Sequence, residues 1–196
     1  MSKRFLIISI FACVLILVIT GCATDSPQPV NSASVNNVHY VEQEKLYTIE
    51  SNGDHTYNYE VKDIRGNVLA QDKNLSRQPV IEQVSENLLK VSVQTGVGNS
   101  TRWSMYVDVV GGRVSDGFYY VLTEISDKVV CVEYHEQYNV VVRDIFNRDE
   151  VSGGTVLEDV YAVEPVVECE ILDKNKIRIV YLKGKDYTET ELFVSI

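Results

Sequence analysis

The chain has 196 residues, 45% of them hydrophobic, and carries a formal net charge of −10 from twenty-eight acidic and eighteen basic residues. No basic run appears after residue 22. Nucleic acid is therefore a disfavoured partner, since neutralising phosphates takes clustered Lys and Arg. The same charge opposes adsorption of a folded surface onto an anionic bilayer or cell wall.

The chain opens on a short positive head, Lys3 and Arg4. Phe5 to Thr20 then run almost without polar side chains and close on Ile19-Thr20-Gly21-Cys22. The apolar run is a little shorter than the roughly 20 residues of a membrane-spanning helix, and its small-residue ending favours removal over retention. Basic head, apolar stretch, small residues and then cysteine resemble the lipobox of a bacterial lipoprotein signal peptide. The resemblance implies cleavage after Gly21, diacylation of the Cys22 thiol, with palmitate as a marker of it, and attachment to the extracytoplasmic face of the cell membrane. Stable anchoring generally takes more than one acyl chain, which diacylglycerol on Cys22 would supply. Loss of residues 1–21 removes two basic residues and no acidic one, leaving sixteen against twenty-eight, a net of −12.

Residues 22–37 comprise the lipidated cysteine and a stretch of Ser, Asn, Pro, Thr and Gln without periodicity, read as a flexible linker. Residues 38–196 are expected to form a single all-β domain, being rich in Tyr, Val and Ile with short apolar runs split by turn residues. Strands are predicted at His55 to Lys62, Leu88 to Gln94, Trp103 to Val110, Lys128 to His135, Asn139 to Ile145, Val166 to Leu172, Lys176 to Leu182 and Thr188 to Ser195. Turns are predicted at Asn52-Gly53-Asp54, Arg65-Gly66-Asn67, Gly111-Gly112 and Asp173-Lys174-Asn175. Val80, Ile81, Val84 and Leu88 have helical spacing, but Ser85-Glu86-Asn87 reads as a turn between two strands, and that reading is adopted. The apolar ending Glu191-Leu192-Phe193-Val194 predicts a last strand paired inside its sheet, because an exposed apolar edge invites aggregation.

A weak repeat organises the domain. Tyr59 to Ile64, Met105 to Val110 and Val140 to Ile145 share an apolar strand that reaches Asp plus an aliphatic residue, with a turn and a short polar strand after it. Val166 to Ile196 reads as a fourth copy lacking the Asp. The aspartates are 45 and 36 residues apart, the length of a propeller blade. In texture these units resemble β-propeller blades, where an aspartate often closes the third strand. The expected fold is an antiparallel meander of about four propeller-blade-like units, with a two-sheet β-sandwich as the alternative.

Asp63, Asp108 and Asp144 recur once per unit, as an architectural residue does and a catalytic pair does not. They are expected to accept hydrogen bonds from turn amides. Asp144, Asn147, Asp149 and Glu150 offer oxygens suited to calcium, but not at EF-hand spacing, so a solvated loop is the preferred reading. Gly96-Val97-Gly98-Asn99-Ser100 lacks the Lys-Ser of a phosphate loop and reads as a hairpin loop. Cys131 and Cys169 remain after signal removal. An oxidising compartment admits a disulfide between them, against the alternative of two small buried hydrophobes. His135, near Glu133, Glu136 and Tyr138, could form a small polar site at a strand end, but a satisfied, half-exposed histidine is the preferred reading. Trp103, Tyr119 and Tyr120 are candidate ligand contacts, since consecutive tyrosines on a strand send one ring to each face.

No catalytic constellation, metal site or cofactor motif is legible. The leading expectation is a non-enzymatic, lipid-anchored binding or interaction module with a protein or carbohydrate partner in the envelope. The alternatives are a carbohydrate-binding module, or an envelope enzyme such as a glycosidase whose two carboxylates are brought together by the fold.

Overall fold

The computed structural model describes residues 46–98 and 101–196. The lipobox, Cys22, the linker and the first residues of the expected domain lie outside them. Every regular element described is a strand: β1 (Tyr47–Ser51), β2 (Tyr57–Lys62), β3 (Val68–Leu75), β4 (Val80–Ser85), β5 (Leu88–Gln94), β6 (Arg102–Asp108), β7 (Arg113–Val114), β8 (Phe118–Tyr119), β9 (Val121–Ile125), β10 (Lys128–His135), β11 (Gln137–Asp144), β12 (Val151–Val156), β13 (Val166–Asp173), β14 (Lys176–Lys183) and β15 (Thr188–Ser195).

They form four antiparallel sheets in chain order: β1-β2-β3, then β4-β5-β6-β7 with β8 also on β6, then β9-β10-β11-β12, then β13-β14-β15. The fold is all-β, a meander of four blade-like units, and their boundaries follow the sequence repeat. Pro79 to Leu89 is strand, turn and strand, without a helix. In the second sheet the outermost strand is broken: β7 pairs with one end of β6 and β8 with the other. Gly117 sits in the break because its backbone lies against the Trp103 indole, where a side chain would collide.

Side-chain alternation along each strand sends one set of residues to the preceding sheet and the other to the next. Leu89, Val91, Val93, Met105 and Val107 pack against Tyr59, Val61 and Ala70 of the first sheet. Leu88, Tyr106 and Phe118 pack against Val129, Cys131 and Ile145 of the third. The third sheet's other face, with Val130, Val132, Val140 and Val142, meets Ile177, Ile179, Tyr181 and Val194 of the fourth. Each unit thus shares a core only with its neighbours, as in other repeat architectures.

The series is open among the described residues. The outer face of the first sheet carries exposed Thr48, Glu50, Gln71 and Lys73. That of the fourth carries Arg178 bridged to Glu168 at 3.1 Å, Glu170 at 3.4 Å and Glu191 at 2.5 Å. The last strand departs from expectation: β15 pairs with β14 alone and lies at the sheet edge. Val194 is buried towards the core with Leu192 packed on it, while Glu189, Glu191, Ser195 and the Phe193 ring, under Lys176 Nζ at 4.5 Å, lie on the exposed face.

Candidate functional site

The three repeated aspartates are structural. Asp63 Oδ1 accepts the amides of Arg65 and Asn67, each at 2.8 Å. Asp108 Oδ1 accepts those of Val110 at 3.2 Å and Gly111 at 2.7 Å, and its Oδ2 takes Arg113 Nη2 at 2.9 Å. Asp144 Oδ1 accepts Phe146 at 2.8 Å and Asn147 at 2.7 Å. Each carboxylate closes the turn that leads to the unit's outer strand. The acidic loop that follows Asp144 therefore spends that side chain on its own backbone. The loop at Gly96 joins β5 to β6 as a hairpin loop, with Gln94 Nε2 donating to the carbonyls of Gly96 at 3.0 Å and Gly98 at 2.8 Å.

Between the second and third sheets lies a polar seam. Glu124 Oε1 accepts the Tyr106 hydroxyl at 2.7 Å and meets Lys90 Nζ at 2.7 Å. The Ser92 and Ser104 hydroxyls bond each other at 2.9 Å. Burial raises the Tyr106 phenol far above its ordinary value, so it stays a donor. These groups are mutually satisfied, with Ser92 and Ser104 buried, which marks the seam as register-setting.

A second polar group lies at the end of the β10–β11 hairpin, where His135 and Tyr134 are exposed. Glu133 is gripped in bidentate fashion by Arg143, Nε to Oε1 at 2.7 Å and Nη2 to Oε2 at 2.8 Å. Arg143 Nη1 donates to the Arg148 carbonyl at 2.7 Å. His135 Nε2 stands 3.5 Å from Glu133 Oε2. The Arg143 hydrogen bonds hold the Glu133 carboxyl below its usual range. Three concavities meet here. A pocket of about 190 Å³ lies between β8 and β10, lined by Phe118, Tyr119, Glu133, Tyr134, His135 and Arg148 among others. A groove of about 530 Å³ runs along β12 from Glu133 and His135. A third, of about 550 Å³, begins at Tyr134 and passes along residues 156–163.

The sequence-predicted contacts divide. Tyr119 is 53% exposed and lines the small pocket, whereas Tyr120 is buried. Tyr120 has a φ of +46°, a costly conformation for an aromatic residue. It turns the chain from the second sheet into the third, and its hydroxyl takes the Val166 amide at 3.3 Å. Trp103 is half-buried opposite Tyr119 and packs towards the first sheet. Of the proposed trio only Tyr119 lines the cleft; Tyr120 is buried and Trp103 packs half-buried against the first sheet. Tyr134 and Arg148 complete the cleft and were not singled out. They come from separate elements, and only the exposed Tyr134 beside His135 gave any signal.

The disulfide expectation gives way. Cys131 and Cys169 are both free. Cys131 faces the second sheet and Cys169 packs in the core between the third and fourth, so the third sheet lies between them. Burial pushes their thiols up to about 12 and about 11, which makes them unreactive. The resolved carboxylate shifts, at Asp54, Asp63, Asp108 and Glu133, all run downward.

Comparison with known proteins adds little. No family model and no curated protein matches the sequence. A crystal structure of BamB from Moraxella catarrhalis aligns at a TM-score of 0.36 and 11% identity, over 79% of this chain and 49% of that one. The chain spans about half of that protein's length. The fold assignment rests on the strand pairing itself.

Proposed function

We propose that the protein is a lipid-anchored binding module on the extracytoplasmic face of the cell membrane. It is held there through diacylated Cys22 and engages an envelope component at the β10–β11 hairpin end. The observation that supports this reading is the convergence of three concavities on Glu133, Tyr134 and His135, with Tyr119 and Tyr134 left 53% and 64% exposed. Exposed aromatic rings beside satisfied polar groups are what a recognition surface offers. Glu133, bonded to Arg143 on both oxygens, orients that surface and has no proton to give at neutral pH.

The test is affinity capture from native membranes with the full-length protein and a Tyr119→Ser/Tyr134→Ser double variant. The reading expects a component retained by the parent and lost by the variant. Equal retention by both would remove the hairpin end from the binding surface.

A further inference from the structure

We infer that the 190 Å³ pocket between β8 and β10 receives a sugar ring bearing a carboxylate, of the uronic-acid type. The inference rests on the hairpin end being the binding surface and names the ligand class for it. Volume comes first. At about 190 Å³ the pocket is below the roughly 300–1,000 Å³ of drug-sized sites, which suits one ring and its substituent better than a peptide segment. Tyr119 and Tyr134 line it and remain exposed, giving apolar faces for the C–H side of a pyranose and phenol hydroxyls for its rim. The Tyr134 ring is steadied by Tyr138, 4.9 Å away between centroids.

Charge then selects the substituent. Arg148 lines the pocket with its guanidinium 5.8 Å from the Phe118 ring centre. It is exposed and has no ion pair among the described residues. Glu133 lines the same pocket and feels the Arg148 charge, but its two oxygens are bound first by Arg143, which leaves the Arg148 guanidinium without a direct hydrogen-bonded carboxylate. Arg143 also holds the Arg148 carbonyl and so fixes the backbone from which this cation projects. The Arg148 guanidinium over the Phe118 ring supplies a cation at the pocket for an anionic substituent, and planar carboxylate suits its fork of donors.

Titration of the full-length protein in detergent with oligogalacturonate, its methyl ester and poly-glutamate tests this by calorimetry. The acid form should bind, and its ester should bind at least about tenfold more weakly. Arg148→Gln and Tyr134→Ala should each lose about tenfold for the acid form, while Arg65→Gln on the first unit should change nothing. Equal affinity for acid and ester, indifference to Arg148→Gln, preference for poly-glutamate, or no binding of oligogalacturonate would each overturn the assignment. If the Tyr119/Tyr134 double variant still lost its captured membrane component in that event, the surface would stand and only the ligand class would fall.

Discussion

The amide of Ile196 donates to the carbonyl of Asn175 at 3.0 Å. Val109 donates to Asn87 and Ile145 to Asp127, each at 2.9 Å, at the same point of the second and third units. The register agrees: Ser195 stands across from Lys176 as Asp144 stands across from Lys128 and Asp108 from Leu88. Ser195-Ile196 is therefore the fourth copy of the Asp-aliphatic pair, with the carboxylate replaced and the main-chain bond kept.

If the aspartates serve the turns, Asp108→Ala should lower stability by about 1–2 kcal/mol through lost hydrogen bonds. Thermal or urea unfolding would show it. The β10–β11 cleft lies outside that turn, so ligand capture by the folded variant should be unchanged. Lost capture at full stability would make Asp108 functional.

Gly153 of β12 lies against the Ser195 carbonyl, where a side chain would collide with backbone. Gly153→Ala should cost about 1–3 kcal/mol by overpacking the junction of the third and fourth units. An unchanged urea midpoint would mean that the two strands separate freely.

Removing residues 186–196 deletes β15, with buried Val194, and uncovers Ile177 and Ile179, both fully buried. Exposing each such side chain costs about 1.5–3 kcal/mol, comparable in sum with a total stability of about 5–15 kcal/mol. The truncated chain should unfold or aggregate, whereas deletion of 23–36 should not. A soluble truncation with one sharp melting transition would show that the last strand is dispensable.

Glu133 sets an acid limit. Its carboxyl is held below its usual range chiefly by the Arg143 hydrogen bonds. A lowered folded value means that the stabilisation is fully present above the unfolded value of about 4.3. It is lost as pH falls from there through the folded value. Glu133→Gln should destabilise the protein at pH 7 and flatten the decline below about pH 4. Parallel pH–stability curves for the two proteins would contradict the pairing.

Much of the fold was legible because it is local. The turn aspartates, the predicted strand pairs and the unit boundaries depend on residues close in sequence. The cleft was not, because Tyr119, Glu133 and Arg148 meet only when the chain leaves β8 and passes into the third sheet at Tyr120. That left-handed turn at a tyrosine has no sequence signature. The edge position of β15 was missed for a related reason: apolar residues predict burial of a face, and the pairing of an edge is a property of the whole sheet. The lipobox runs the other way, its argument complete within 22 residues. Metabolic labelling with a palmitate analogue should mark the parent and not Cys22→Ser, and equal labelling would end the lipoprotein reading.

The β10–β11 hairpin end is proposed as the surface at which the anchored module meets its envelope partner. A photo-crosslinking benzophenone amino acid placed at Tyr134 in intact cells tests it directly, since the group inserts into C–H bonds of protein and sugar alike. The same group at Glu50, on the outer face of the first sheet, is the control. Position 134 should give an irradiation-dependent adduct and position 50 none. Adducts from position 50 alone would place the partner at the other end of the series and contradict it.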